Sequence, residues 1–583
     1  MGNRIPGVYL SEVSKASNSL SKNYNLTVIL GTATNGPLEP TIVYSKSHAI
    51  NLFGNELADD FGLTALQLIA DEAEQVMYVR VAHKGDRAKF QKDETDVFEA
   101  KEGGTHLNGH TVTATANAEA STVTIVLKSG EVIEEQITCS TNQLSEDYIV
   151  NVFNNRCVNL NLVAGADFDF STLDGDLVLV EGVQGAEQAK AVSEGKIKIL
   201  AKHPGTYLNG ATARVLTTLD GKIGLNIVKN SVVIESIPLG AANETADAFK
   251  ERVNMLSSYV IVEEVKAIEP MAVVFAGGNA GLNVDDSDYI DALNKIADPS
   301  QFQITTLIIP GISNAAVLAK AQLVANARQD FLFIADPPIG LKAYQTVNWV
   351  DAIGIFTGST KLATSYVAVY SPWVRANNAA GKAMFLPPSI AVALQMVRND
   401  KSYNLWDACA GVQRGVLQTV NGLEHQYTND DVYILYKNSV VNPIIHIKDR
   451  GYVIWGNKTC KRPTTAISND PVCSVNVRRL VNFLKYIVRN IAMEFVFELN
   501  DSTTWDLFKL KVEPRFRAIQ EARGMYAFEV VMDETTVTPD HIDALEMPGI
   551  IRLQPTRAAE EIIISFELYP AGVEFEDHEK VDE

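Results

Sequence analysis

The strongest constraint on the architecture of this chain is an internal echo. GTHLNGHTVTAT (Gly104–Thr115) returns as GTYLNGATARVL (Gly205–Leu216), an offset of 101 residues. Each copy continues into a hairpin-like pair, STVTIVLKSGEVIEEQI and KIGLNIVKNSVVIESI, then into a helix-like stretch leading to VNLNLV or YVIVEEV. Alternating Val, Thr and Ile at period two makes half-buried strands, so two related small β-rich modules are the economical reading. What flanks them has a different period. Before them, NLTVILGTA, a Gly36-Pro37 turn, an apolar-periodic segment near Leu63–Glu72 and VMYVRV follow a strand, turn, helix, strand order. After them, MAVVFAGG, DDSDYIDALNKIA, ITTLIIPG, an Ala-rich helix from Asn314, FLFIADPP and YVAVYSPW resume the same alternation. One α/β domain interrupted by two insertions accounts for both flanks.

The expected fold class is therefore α+β and α/β, multidomain, and 583 residues are too many for one core. The expected segments are an N-terminal arm at 1–21, a discontinuous outer α/β domain at 22–90 plus 266–440, and β-rich modules at 91–198 and 199–265. A C-terminal α+β domain at 441–570 and an acidic arm at 571–583 complete the chain.

Charge and composition exclude several function classes. A net charge of −21 argues against broad nucleic-acid binding, which needs Lys and Arg to displace counterions from phosphates. Residues 476–523 run against the trend, with nine Lys or Arg against six Asp or Glu, a local +3. No apolar run approaches a membrane span. The start, MGNRIPG, lacks the basic and apolar regions of a signal peptide, so synthesis and retention in a cytoplasm are expected. Five cysteines without CxxC spacing (Cys139, Cys157, Cys409, Cys460, Cys473) read as buried thiols rather than disulfides or a zinc site.

Catalytic signatures are weak. FAGGNAG (Phe275–Gly281) follows a strand but lacks the GK[ST] ending and GxGxxG spacing of phosphate loops, so it reads as a glycine turn. Asp285, Asp286, Asp288 and Asp291 lack the Gly and distal Glu of a calcium loop and read as caps of a helix start. No HExxH or GxSxG occurs. No enzyme, cofactor or metal is expected.

The C-terminal region carries a recognisable pattern. NVRRLVNFLKYIVRN brings Arg478 and Arg479, then come Phe497–Asp501, Trp505, and Val531–Thr536. This resembles the signature of contractile tail sheath proteins: a double-Arg helix, a strand ending in FEPND-like residues, a Trp-bearing helix and a strand with a VxxD-E/N-T pattern. Asn442–Cys460, the PPS helix start at Pro387, Pro388 and Ser389, and the N-terminal blocks Pro6–Val13, Gly31–Gly54 and Val76–Ala82 match in the family's order. The second β-module also resembles a β-sandwich often inserted in such proteins. Leu499 stands where the family often has Pro. Pro514 interrupts the Trp-bearing helix, where proline costs about 3 kcal/mol, so a break or kink is expected near Glu513.

The resemblance implies a structural subunit of a phage tail sheath. It would form a homo-oligomer of stacked rings, hexameric in expectation, around a tail tube protein. Baseplate and tail terminator proteins would be further partners, with no direct contact to nucleic acid or membrane. Assembly would occur in the host cytoplasm and the product would be part of the virion; a tailocin or injection-device sheath is the alternative. It also implies that terminal arms complete a neighbour's sheet by strand addition, with Val8, Leu10 and Val13 from one end and Ile562, Ile563, Ile564 and Phe566 from the other. The basic excess suggests a tube-facing surface of Lys509, Lys511, Arg515, Arg517 and Arg523. Arg478 and Arg479 are alternatively expected to pair with carboxylates inside their own domain.

Overall fold

The computed structural model describes residues 26–562 apart from short internal stretches, the longest being 101–109, 354–363 and 463–469. Its centre is an eight-stranded sheet in the order Thr41–Val43, Val76–Arg80, Thr27–Gly31, Thr306–Ile308, Leu332–Ala335, Val367–Ser371, Val441–Ile447, Gly451–Ile454. From Val76–Arg80 through Val441–Ile447 the neighbours are all parallel. TVILG, VMYVR, LFIA and VAVYS are buried at every residue, because helices cover both faces and each face carries its own apolar cluster. Thr27–Gly31 lies directly beside Thr306–Ile308, so the sheet is assembled from both sides of the insertion.

The last two strands correct an expected boundary. Val441–Ile447 pairs in parallel with Val367–Ser371, and Gly451–Ile454 returns antiparallel beside it. Residues 441–454 therefore complete the α/β sheet instead of opening the C-terminal domain. Val441–Ile444 and Val453–Ile454 are buried against the sheet's neighbours, and the sequence pattern alone does not assign such short runs to a particular sheet.

The insertions are two copies of one path. In the first, Lys89–Lys92 and Thr95–Ala100 form a hairpin, His110–Asn117, Thr122–Ser129 and Val132–Ser140 a meander, and a helix, Ile149–Arg156, leads to Leu160–Leu162 beside Thr95–Ala100. In the second, the corresponding pieces are Lys190–Ser193 with Ile197–Ala201, the meander Thr212–Thr217, Ile223–Lys229 and Val232–Ile237, the helix Ala246–Leu256 and the strand Val260–Val265. The same polar lock closes both. Glu135 accepts from Cys157 Sγ and the Asn159 amide, while Glu235 accepts from Ser257 Oγ and the Ser258 amide. Asn154 and Asn254 accept the amides of Leu162 and Val262. The second core runs from Ala189 to Phe275, so strands outside 199–265 at both margins belong to it.

The second module is seated on the α/β domain by Arg80, at the end of strand Val76–Arg80. Its buried guanidinium donates to the carbonyls of Gly36, Pro204 and Ala280 at 2.6–2.7 Å. Burial lowers its pKa to about 10, so it remains charged at neutral pH. Gly205 has φ +148, and a Cβ there would sit 2.4 Å from the Thr34 carbonyl, so the backbones can approach only with glycine. At this joint FAGGNAG follows strand Met271–Val274 as irregular backbone: Gly277 and Gly281 take positive φ, and the Ala280 and Gly281 carbonyls accept from Arg80 and the His83 amide. Asp285 and Asp288 form a capping box on Asp286–Lys295, with His83 Nδ1 2.9 Å from Asp288. These three groups lie within 4.8 Å of one another, with both carboxylates engaged in capping. Four cysteines are buried as expected, whereas Cys473 is half-buried.

Asp336, following strand Leu332–Ala335, ties the sheet to helix Pro388–Ser402. It accepts from Ser389 N, Ser389 Oγ and Gly311 N. Complete burial raises its pKa from 3.8 to about 6 despite these donors. A carboxyl whose folded pKa is raised contributes stability below its unfolded pKa, which fades as pH rises through the folded value. Asp336→Asn should therefore flatten the stability–pH profile between about pH 4 and 6, removing up to about 3 kcal/mol of change, as read by urea unfolding across that window. An unchanged slope would refute the assignment.

Candidate functional site

The C-terminal domain begins at Ser474 and is built on a long helical hairpin. Helix Val475–Met493 is buried at every residue from Val475 to Leu484, because this half inserts against the α/β domain. Arg479 forms an ion pair with Asp400 of helix Pro388–Ser402. Arg478 donates to Ser365 Oγ at 2.6 Å and stacks over the Tyr366 ring at 4.2 Å. The carboxylate for Arg479 thus comes from the α/β domain, not from its own domain, and an aromatic face serves Arg478. Burial pushes the Asp400 carboxyl up against the pull of Arg479, while burial opposes the Arg479 charge and Asp400 outweighs it. Further links cross the seam: Lys485 to Gln329 and Tyr366 Oη, Asn476 to the Trp406 carbonyl, and Trp406 Nε1 to the Ala522 carbonyl.

Beyond Leu484 the hairpin has its own core, in which Phe495, Trp505, Phe508, Val512, Phe516 and Ile519 pack under Met525 and Met532. The expected FEPND-like strand is a turn. Phe495 and Glu498 amides donate back to Ala492 and Phe495 carbonyls, and Phe495 drops into the core against Phe508. A lone strand there would have no ladder partner, whereas a tight turn satisfies the backbone locally. Asp501 caps helix Ser502–Glu521, and Asn500 Oδ1 accepts from Trp505 Nε1 at 2.8 Å. The VxxD-E/N-T pattern likewise ends its strand at Val531. Asp533 then accepts from the Thr535 amide and hydroxyl, and its own amide donates to Thr536 Oγ1.

Helix Ser502–Glu521 continues through Pro514 without the expected break. Val512 and Phe516 are buried on either side, so the core holds both halves in line. Pro514 itself is exposed, and Leu510, whose carbonyl loses its donor, is also exposed, so water can take that place.

Strand Met525–Val531 pairs only with Ile550–Pro555, leaving a two-stranded sheet whose outer edges have no partner among the described residues. A groove of about 640 Å³ runs along Met525–Val531, walled by Glu513, Arg517, Gln520 and Glu521 and floored by Phe528 and Val530. Gln520 Nε2 donates to the Tyr526 carbonyl at the head of this strand.

The predicted arm residues Val8, Leu10, Val13, Ile563, Ile564 and Phe566 lie outside the described residues. Ile562 is exposed and in no strand. Of the basic set, Lys509 pairs with Asp506 at 2.8 Å, Lys511 with Glu494, and Arg517 with Glu513 at 3.2 Å. Arg515 and Arg523 are exposed with no ion pair among the described residues. Sequence reasoning missed Asp400 and Tyr366, which are remote in sequence from the double arginine and carry no motif.

Residues 468–569 match the family described as the phage tail sheath C-terminal domain. The chain is 24% identical over 439 residues to the tail sheath protein of Enterobacteria phage T4, covering 69% of this chain and 64% of that one. It is 26% identical over 318 residues to the tail sheath protein of Vibrio phage KVP40, covering 50% and 46%. These matches span less than two thirds of the length of those relatives. Among solved structures, the sheath tail protein of Listeria innocua shares the fold with a TM-score of 0.54 at 10% identity, over 93% of this chain and 94% of that one. That of Desulfitobacterium hafniense gives 0.50 at 11%, over 94% and 100%. The resemblance to tail sheath proteins read from the sequence is borne out.

The buried arginine pair makes a quantitative prediction. Arg479→Met should destabilise the chain by about 3–5 kcal/mol by stranding Asp400, and Arg479→Met with Asp400→Leu should recover much of that. Urea unfolding followed by tryptophan fluorescence reads both, and a double variant no better than the single would refute the pairing.

Proposed function

We propose that this chain, a relative of phage tail sheath proteins, is the structural subunit of a contractile tail sheath. It polymerises as helical rings around an inner tube and contracts to drive that tube through a bacterial envelope for genome delivery. Tube, baseplate and terminator proteins are its partners, and the virion tail is its location. Its role is mechanical, not catalytic.

The observation that carries this reading is the C-terminal domain: the region that matches the sheath family ends in a two-stranded sheet with open edges beside a groove. The outer edges of this sheet present backbone donors and acceptors without a ladder partner among the described residues, and added strands would complete it. Terminal arms of neighbouring copies supply them in this proposal. A few ladder bonds at roughly 0.5–1.5 kcal/mol each give several kcal/mol per link. Because the Arg478–Arg479 seam binds this domain to the α/β domain, contraction moves each subunit as a rigid body while the arms stay paired.

For the tube, the proposed contact is the solvent ridge of helix Ser502–Glu521. Leu507, Leu510, Lys511, Pro514 and Arg517 recur at helical spacing and are all exposed. Lys511 and Arg517 are part-neutralised by Glu494 and Glu513, so the ridge is more apolar than the basic surface expected from sequence.

Negative-stain electron microscopy of the purified chain over a concentration series should give hollow, striated tubes. Deletion of residues 2–14, or Ile563→Pro, should leave a folded monomer that forms none, because proline removes a ladder donor. Leu507→Glu with Leu510→Glu, both on the ridge and outside the groove, should leave polymers intact but reduce co-sedimentation with the tube at least about tenfold, the loss of about 1.4 kcal/mol. Normal filaments from the arm variants would sink strand addition, and normal tube binding would sink the ridge.

A further inference from the structure

The far end of the helical hairpin displays apolar side chains on an acidic ground. Helix Val475–Met493 runs outward from the α/β domain and Ser502–Glu521 runs back, with Ala522 again at the seam. The 494–501 turn and the 532–549 loop therefore share the distal tip, joined by the Asn500 Nδ2 bond to the Glu546 carbonyl. Phe497, Leu499 and Leu545 are 86%, 77% and 93% exposed there, with Met493 beside them. Phe497 and Leu545 both hold positive φ, +74° and +59°, a conformation that disfavours bulky side chains. Two large apolar residues held in such backbone and aimed at water are unexplained by folding, and exposed apolar patches mark contact surfaces.

The two tip segments contain eight carboxylates, three in 494–501 and five in 532–549, and no Lys or Arg. The complement lies on the same domain at its other pole: Arg515, on the flank of its helix, and Arg523, just past the helix end, have no ion pair among the described residues. Helix Ser502–Glu521 has 20 residues and spans about 30 Å, with Arg515 about 20 Å along it, so tip and arginines cannot meet within one molecule. We infer that the tip of one copy docks against the Arg515 and Arg523 face of a second copy, a head-to-tail contact distinct from the arms and from the tube-facing ridge. A contact between two different patches repeats without closing unless the rotation closes it, as helical polymers require. The inference rests on the sheath reading only in taking the polymer as its setting.

The test is the concentration at which the full chain assembles, measured by sedimentation and electron microscopy at 50 and 300 mM salt. Phe497→Asn with Leu545→Asn should raise it at least tenfold without lowering the melting temperature, because asparagine tolerates this backbone. Glu498→Lys with Glu546→Lys should raise it, as should Arg515→Glu with Arg523→Glu, and the four changes combined should restore it to within about threefold of wild type. The wild-type value should itself rise with salt. Assembly of all variants at the wild-type concentration overturns the contact while leaving the sheath reading intact. A tip defect that the combined reversal does not restore also overturns it. Failure of the wild-type chain to assemble under every condition overturns the sheath reading and this contact together.

Discussion

The seam around Arg478 and Arg479 decides how the rest of this molecule can act. Two guanidinium groups are taken out of water at adjacent positions on one helix, and each requires a partner from the α/β domain: a carboxylate at Asp400 and a hydroxyl and aromatic face at Ser365 and Tyr366. Stranding a buried charge is far more costly than losing a surface pair, so the domain cannot swing away from this contact as a loose unit. What projects beyond the seam, the hairpin with its tip, ridge and open-edged sheet, is held like a lever on a rigid base. In the proposed sheath role that stiffness would transmit force through each subunit and leave the flexibility to the links between copies.

The duplicated modules use a complementary strategy. Their cores are small, and each is closed by the same carboxylate and asparagine acting on the backbone that leaves the helix, Glu135 with Asn154 and Glu235 with Asn254. Arg80 then ties the second module to the α/β domain through the carbonyls of Gly36, Pro204 and Ala280, all on irregular backbone. The insertion is consequently fastened to the sheet it interrupts, and reads as an outer attachment that travels with the α/β domain.

Much of this was legible in the sequence because it depends on local pattern. Continuous Val and Ile runs marked the parallel strands, alternation marked the modules, and the echo at Gly104 and Gly205 marked their kinship. The caps at Asp285 and Asp501 are set by residues within three positions. The strand end that the family resemblance implies at Phe497–Asp501 is a turn in the structure, because the tertiary setting supplies no ladder partner there among the described residues. Pro514 was expected to break its helix, yet buried Val512 and Phe516 hold both halves, a packing effect that propensity does not contain.

By itself the sequence determined the kind of elements, the duplication, the discontinuous α/β domain and the family pattern of the C-terminal region. These follow from periodicity and short-range hydrogen bonding. The tertiary structure alone decided that strands at 441–454 join the large sheet, that Asp400 and Tyr366 receive the double arginine, and that the 494–501 turn and the 532–549 loop share one tip, held by the Asn500 bond to Glu546. Those outcomes depend on which distant segments share a surface, and burial of a charge selects its partner by proximity in space, which spacing along a chain does not encode.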